Sequence, residues 1–426
     1  MKKECSILFI KKFIKKIIFW NLFSSKIKEK LKNKLGIHNI ETAKEESVTL
    51  TDSEVALFFS GQLKDKYQIE QWLKPLGLLA CEKPFLFIVK EKEVFLWLKA
   101  NTNFSVVYYK NLNSLIQFYE THPIKVILYV NNGLRNFHSL IYNKALHVHI
   151  NHGESDKVST LSNQSKAYDY LFVSGNAGYE KYKLNLLKND MSRFIKIGRP
   201  QLEHIEAMDF DKEIIANKKI ILYAPTWEGM YESMNYSSLL EHGQSIVTQL
   251  LEEPNYYLLY KPHPNTGTRD PIFKKTSNQI IKILSNSSKG EIILNKDINA
   301  LYPYVDLAIF DNSAVAIDYL YVDKPMIMVD MFYKNRTHDM MPTIVHATKL
   351  LILKELDKIV LIIENELTHD SVREKRSEIK DYFLGSFDYL EGESTQAFIQ
   401  NITDICSERD TLLINLKFDK MYSRLN

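Results

Sequence analysis

Four short segments carry residue types able to handle phosphate and protons: Asn151-His152-Gly153-Glu154-Ser155-Asp156-Lys157, Pro225-Thr226-Trp227-Glu228-Gly229, Lys261-Pro262-His263-Pro264 and Asp311-Asn312-Ser313-Ala314. His152 precedes a glycine that allows close approach of a ligand, and Glu154 or Asp156 stands near enough in sequence to orient its imidazole. That pattern points to a general base. His263 lies between two prolines, which hold it on a rigid loop beside Lys261; this suits a diphosphate clamp or a proton donor to a leaving phosphate. Asp311, Asn312 or Ser313 is placed to cap a helix, and the unpaired first amides of such a helix attract an anion. His147 and His149 share a strand face with His152 nearby, but no carboxylate or cysteine stands at metal-ligand spacing. We read the pair as a polar stripe and expect no metal.

All four segments directly follow apolar runs. The first series is 55–59, 85–89, 105–109, 125–130, 147–150 and 170–173; the second is 220–224, 256–260, 291–294, 306–310 and 325–329. Helical windows fall between them, at 111–120, 134–143, 237–252 and 312–322. This βαβα order predicts an α/β chain of two doubly wound, Rossmann-like parallel sheets, whose ligands bind outside the carboxyl ends of the strands. The join is expected within 199–216, around Arg199-Pro200. The organisation expected is an arm at 1–34, a first domain at 50–205, a second at 206–400 and a tail at 401–426. Residues 351–400 read as helices of the kind that cross back to a first lobe. Asp209-Phe210-Asp211 follows a polar segment and reads as linker, not as a DxD metal motif.

The 426 residues, 45% hydrophobic, exclude disordered and collagen-like classes. A net charge of +3 conceals an uneven distribution: eleven lysines against Glu4 and Glu29 give residues 1–34 a charge of +9, leaving −6 on the rest. Ile10, Phe13, Ile14, Ile17 and Ile18 recur at helical spacing opposite Lys11, Lys12, Lys15 and Lys16. The arm therefore reads as an amphipathic helix lying on an anionic membrane surface, too interrupted to span it. Packing on its own domain is the alternative reading; nucleic acid is not the expected partner, since lysines without arginines make a poor recognition surface. Cys5, Cys81 and Cys406 lie too far apart for a zinc cluster or disulfide framework, which indicates a reduced, cytosolic setting. No GxxxxGK[ST], strand-following GxGxxG, HExxH or GxSxG is present, so P-loop kinases, ordinary NAD enzymes, zincins and α/β-hydrolases are set aside.

Taken in order, His152-Gly153, Ala224-Pro225-Thr226-Trp227, His263-Pro264, Asp311-Asn312-Ser313, Asp318-Tyr319 and Lys324-Pro325 resemble the CDP-glycerol glycerophosphotransferase family of teichoic-acid and capsule polymerases. The resemblance covers roughly residues 125–330. It departs at Glu154-Ser155, where the family has Thr-Pro, and at Asp311-Asn312-Ser313-Ala314, where it has Asp-Tyr-Ser-Ser. The resemblance implies a GT-B arrangement, with His152 as base on the acceptor hydroxyl and His263 as the second catalytic residue. Pro225, Thr226, Lys261, His263, Asp311, Asn312 and Ser313 would bind the donor, and Gly153, Glu154, Ser155, Asp156 and Lys157 would line the acceptor side. It further implies a membrane-peripheral transferase at the cytoplasmic face of a bacterial membrane. Glycerol phosphate or a similar polyol phosphate would pass from a CDP-activated donor to a polymer or lipid-linked primer, releasing CMP, with no cofactor. The readings held against it are a capsule or lipopolysaccharide glycosyltransferase using a CMP- or UDP-sugar, and a non-catalytic membrane adaptor.

Overall fold

In the computed structural model, which describes residues 53–422 except 158–160, 295 and 333–340, thirteen strands form two separate all-parallel sheets. The first sheet contains β1 (Val55–Phe59), β2 (Phe85–Val89), β3 (Ser105–Tyr108), β4 (Val126–Tyr129), β5 (Leu146–His149), β6 (Tyr170–Val173) and β7 (Phe194–Lys196) in the order β3-β2-β1-β4-β5-β6-β7. The second contains β8 (Lys219–Ala224), β9 (Tyr256–Tyr260), β10 (Gly290–Ile292), β11 (Leu307–Phe310), β12 (Met326–Val329) and β13 (Lys349–Leu351) in the order β10-β9-β8-β11-β12-β13. Both sheets belong to the compact unit that spans residues 50–426. The arm at 1–34 lies outside the described residues.

Strands β1 and β2 are apolar at every position because helices cover both faces. Each residue of β1 and β2 is buried, and β1 pairs with β2 from Val55↔Phe85 and with β4 from Val55↔Val126. Strand order reverses between β1 and β4 in the first sheet and between β8 and β11 in the second. These reversals open the crevices in which ligands of such sheets bind.

Many tyrosines are core residues whose hydroxyls meet buried serines: Tyr119 with Ser139 at 2.5 Å, Tyr223 with Ser238 at 2.8 Å and Tyr260 with Ser277 at 2.9 Å. Each pairing satisfies a polar tip that burial would otherwise strand.

Several elements differ from the sequence expectations. The window 134–143 is a 3-10 turn, Leu134–Asn136, followed by a single helical turn, Phe137–Leu140. Of 237–252 only Gly243–Glu252 is α-helical, and of 312–322 only Ala314–Tyr319, continued by a 3-10 turn. Leu351 ends an edge strand instead of starting a helix; the helices follow at Ile359–His369 and Arg373–Leu384. The helix Glu393–Tyr422 runs across position 400 without a break, so the boundary expected there falls inside one helix. Its Phe398, Ile402 and Cys406 are buried in the first lobe's core, with the Phe398 ring 5.1 Å from that of Trp72. The chain therefore crosses back, and its last helix packs on the first lobe. Among the described residues no helix is long and apolar enough to cross a membrane.

Candidate active site

The loop after β5 is shaped by Asn151, which adopts a left-handed backbone (φ 58°) and accepts the His152 amide on its own side chain at 2.9 Å. Asn is among the few residues that tolerate this conformation. The buried Trp72 indole donates to the Asn151 carbonyl at 2.5 Å. His152 is thereby turned toward the end of β4, where its Nδ1 lies 2.7 Å from the Val130 carbonyl. A carbonyl only accepts, so Nδ1 carries the proton and Nε2 presents a lone pair. Burial, aided by the Arg199 charge and opposed by the Val130 bond, holds the imidazole below its ordinary pKa.

His263 is held in the opposite tautomer. Its Nδ1 accepts the Asn265 backbone N–H at 3.0 Å, which leaves the hydrogen on Nε2. Burial, reinforced by the charges of Lys157, Lys261 and His152, lowers its pKa to about 3, so the ring is neutral. Trp227 stacks on it at 5.9 Å. Tyr67, from the helical turn that follows β1, meets both rings edge-on, with centroids 5.8 Å from His152 and 6.1 Å from His263. Two histidines 111 positions apart thus share one aromatic neighbour at the mouth between the lobes.

The surrounding charges sort as follows. Asp311 is fully buried, and its Oδ2 accepts the Thr226 amide at 2.8 Å and the Ser238 amide at 3.1 Å, tying the ends of β8 and β11 together. Burial pushes its carboxyl up to about 6. Among the described residues, Asp311 Oδ1 and both amide atoms of Asn312 are buried without a partner. Ser313 occupies the cap position of its helix, but its hydroxyl turns back to the Asp311 carbonyl at 3.2 Å instead of capping. Lys157 crosses from the first lobe to within 3.4 Å of Thr226 Oγ1, and burial, opposed by the Asp311 charge, lowers its amine to about 8. Lys261 is half-buried, its amine depressed by burial against the charges of Asp297 and Glu70. Pro225 is buried in the turn after β8.

The remaining acceptor-side residues of the sequence reading close the seam between the lobes. A Cβ on Gly153 would lie 3.2 Å from that of Ala314, a tight contact that glycine avoids where the loop approaches the second lobe. Asp156 accepts the Ile344 amide at 3.0 Å, and the Ser155 carbonyl accepts Lys181 at 2.7 Å. Glu154 is buried against β6, accepting the Ser174 amide at 2.8 Å. The expectation that Glu154 or Asp156 orients His152 is therefore corrected: both are committed elsewhere, and a backbone carbonyl from β4 takes the task. His147 and His149 are core residues; His147 bonds the Tyr129 hydroxyl and the Tyr142 carbonyl, and His149 packs beside Tyr168. Among the described residues no three His, Cys, Asp or Glu side chains converge as a metal-holding group.

Three contributors escaped the sequence reading. Tyr67 is one; no local motif marks it. Glu228 is fully buried and accepts three backbone amides, those of Gly267, Arg269 and Asp270, at 2.9 to 3.2 Å, so it folds the loop that carries His263. An acidic residue directly after Trp227 at a strand end was the available signal. Arg199, at the end of β7, forms a buried pair with Asp318 of the second lobe at 2.8 and 2.9 Å and reaches the His152 carbonyl at 3.5 Å.

Known proteins share this architecture. A variant of the wall teichoic acid polymerase TagF has a solved structure that superposes with a TM-score of 0.57 at 16% identity, covering 86% of this chain and 92% of that one. Teichoic acid ribitol-phosphate polymerase TarL of Staphylococcus aureus (strain NCTC 8325 / PS 47) is 24% identical over 199 residues, 46% of this chain and 33% of that protein. Teichoic acid poly(glycerol phosphate) polymerase of Bacillus spizizenii (strain ATCC 23059 / NRRL B-14472 / W23) is 25% identical over 268 residues, 58% of this chain and 62% of that protein. The chain thus spans less than two thirds of the length of the last two relatives. The profile of CDP-Glycerol:Poly(glycerophosphate) glycerophosphotransferase matches residues 111–403. With two parallel sheets, a histidine from each lobe at the cleft, and a profile match over most of its length, the chain belongs to the CDP-glycerol:poly(glycerophosphate) glycerophosphotransferase family.

Proposed function

We propose that this protein transfers glycerol phosphate, or a similar polyol phosphate, from a CDP-activated donor to a surface polymer or its lipid-linked primer, releasing CMP. The observation that carries the reading is the pair of neutral histidines in opposite tautomers on one Tyr67 ring. His152 Nε2 would accept the proton of the acceptor hydroxyl as its oxygen attacks the β-phosphorus. The bond from that phosphorus to the bridging oxygen breaks, and CMP leaves with the electron pair. His263 Nε2–H would donate to an oxygen of the diphosphate, and Lys157 and Lys261 would offset the charge gathering there. No cofactor enters the scheme; donor and acceptor supply all reacting atoms. The lysine-rich arm at 1–34 would hold the protein at an anionic membrane surface on the cytoplasmic side, where such donors and lipid-linked acceptors meet.

The test offers CDP-glycerol, CDP-ribitol, CMP-sugars and UDP-sugars with polymer acceptors and reads released nucleotide. CMP from a CDP-polyol, lost in His152→Ala and in His263→Ala, is the expected result. Turnover confined to nucleotide sugars, or silence across the panel, would overturn the reading. Sedimentation with anionic vesicles, lost on deleting residues 1–34, tests the arm.

A further inference from the structure

Neither histidine of the cleft is fixed by its hydrogen bond alone. A single bond at Nδ1, to the Val130 carbonyl for His152 and from the Asn265 amide for His263, pins one corner of the ring and leaves its plane free to tilt about that corner. The plane is set by what the ring packs against. Trp227 lies along one face of His263, at 17° and 5.9 Å. The contact common to both is Tyr67, whose ring stands at 81° to His152 and 78° to His263, with centroids 5.8 and 6.1 Å away. These angles and separations are those of edge-to-face aromatic pairs.

Tyr67 is itself held by the first lobe. It opens the helical turn Tyr67–Glu70, directly after the 3-10 turn Leu63–Asp65, whose Asp65 carboxylate accepts the Gln62 amide at 2.9 Å. Further along the same segment, Ile69 and Trp72 are buried in the first-lobe core. The Tyr67 hydroxyl accepts from the Gln68 side chain at 3.3 Å, and Gln68 in turn accepts from Asn131 at 2.7 Å. Asn131 directly follows Val130, whose carbonyl fixes the His152 tautomer. Trp72 holds the Asn151 carbonyl beside His152. The segment after β1 thus grips the His152 loop by its backbone and by its ring, and through Tyr67 it reaches His263 of the second lobe. Burial raises the Tyr67 phenol above its ordinary 10.0, so it stays neutral and brings no charge to either imidazole. What it brings is shape and the exclusion of water.

We propose that Tyr67 is a positioning residue for both histidines at once: fixed in the first lobe, its ring sets the planes of the acid and the base across the cleft and covers them from water. The inference rests on the transfer reading above and gives Tyr67 no chemistry of its own. Each edge-on contact is worth about two- to tenfold in the population of an aligned ring, so losing both should cost kcat about tenfold or more. Other groups bear on the two imidazoles: Arg199, Asp65 and His149 on His152, and Lys157 and Lys261 on His263. All of them stay in place when Tyr67 is replaced, so a shift of both histidines together reports the lost ring.

Tyr67→Leu and Tyr67→Gln remove the ring, one keeping apolar bulk and the other a polar tip, so that a single folded variant suffices. Tyr67→Phe keeps the ring and loses the hydroxyl. With the full chain, CDP-glycerol and a polymer acceptor, the Leu and Gln variants should lose about tenfold or more in kcat while both KM values stay within about twofold. Tyr67→Phe should recover kcat to within about threefold of wild type. Titration of isotope-labelled histidines by NMR, assigned with His152→Gln and His263→Gln, needs no turnover. Both rings should titrate about one pH unit or more closer to 6.5 in the Leu and Gln variants, and near their wild-type values in Tyr67→Phe. Unmoved titrations, or one ring moved without the other, would overturn the proposal. So would a loss confined to either KM, or a Tyr67→Phe no better than Tyr67→Leu. If both titrations shift in the variants while wild-type protein releases no CMP from any CDP-polyol, the transfer reading falls and the shared positioning stands.

Discussion

Removing one half of the Arg199–Asp318 pair should damage this protein more than any surface change. Both side chains are buried, at 3% and 4% exposure, and two contacts of 2.8 and 2.9 Å make the pair bidentate. At 2.8 Å the Coulomb attraction is about 6 kcal/mol for an effective dielectric of about 20, before the cost of desolvating both ions. Arg199→Met leaves the Asp318 carboxylate buried and unpaired, and the expected loss is about 3–5 kcal/mol. The double variant Arg199→Met/Asp318→Leu removes both charges and should recover most of that loss. Equilibrium urea denaturation, followed by fluorescence and by circular dichroism, measures it. Because Arg199 also reaches the His152 carbonyl, the double variant should fold yet turn over more slowly than wild type. A loss below about 1 kcal/mol in Arg199→Met, or a double variant no more stable than the single, would refute the reasoning.

Three further outcomes follow from the site and a fourth from the core behind it. Burial keeps His152 below its ordinary 6.5, so the base form survives as pH falls past that value; the acid limb of kcat/KM should lie below pH 6.5, and a limb above it would exclude His152 as the base. Lys157, lowered to about 8, loses its charge above that pH and should set an alkaline limb there, moved upward in Lys157→Arg because a guanidinium stays protonated. Glu228→Gln places an NH2 among three backbone amides, so stability should fall by about 1–3 kcal/mol and donor KM should rise; an unchanged donor KM would show that the His263 loop does not depend on Glu228. His149 has a folded-state pKa of about 3 against 6.5 when free, so between those values the unfolded chain takes up a proton that the folded one refuses, and stability is lost as pH falls. His149→Phe should flatten that slope by about 1.4 kcal/mol per pH unit, read from urea midpoints at pH 4 to 7.

The fold was legible where burial leaves a continuous apolar run. Strands β1, β2, β6 and β9 match their sequence runs residue for residue, because a strand covered on both faces admits no polar interruption. The edge strands β7 and β13 were missed for the complementary reason: each has three residues, and Phe-Ile-Lys and Lys-Leu-Leu carry neither length nor pattern. The strand-end rule led to His152, His263, Thr226 and Asp311, since chemistry in such sheets gathers at those ends. It could not supply partners. Asp318 lies 119 residues from Arg199, and Ile344 lies 188 from Asp156; pairings at that range depend on how the lobes meet, which local spacing does not encode.

The tautomers show why the missing information is backbone information. Read from sequence, His152 is a general base oriented by Glu154 or Asp156, and His263 is a diphosphate clamp or proton donor beside Lys261. Instead one ring nitrogen meets a carbonyl, that of Val130, and the other meets an amide, that of Asn265. A carbonyl leaves His152 with an accepting Nε2, and an amide leaves His263 with a donating one. A carboxylate partner would have drawn a proton onto the ring; a backbone dipole sorts the two nitrogens while leaving each imidazole neutral. Neutrality matters for both tasks, since a protonated His152 could not accept from a hydroxyl. The conformations that achieve it are local: a left-handed Asn151 turns the first ring back toward β4, and prolines on either side of His263 hold the loop in which the Asn265 amide reaches Nδ1. Acid and base roles at this cleft are thus divided by main-chain geometry at two strand ends, with Tyr67 set against both rings.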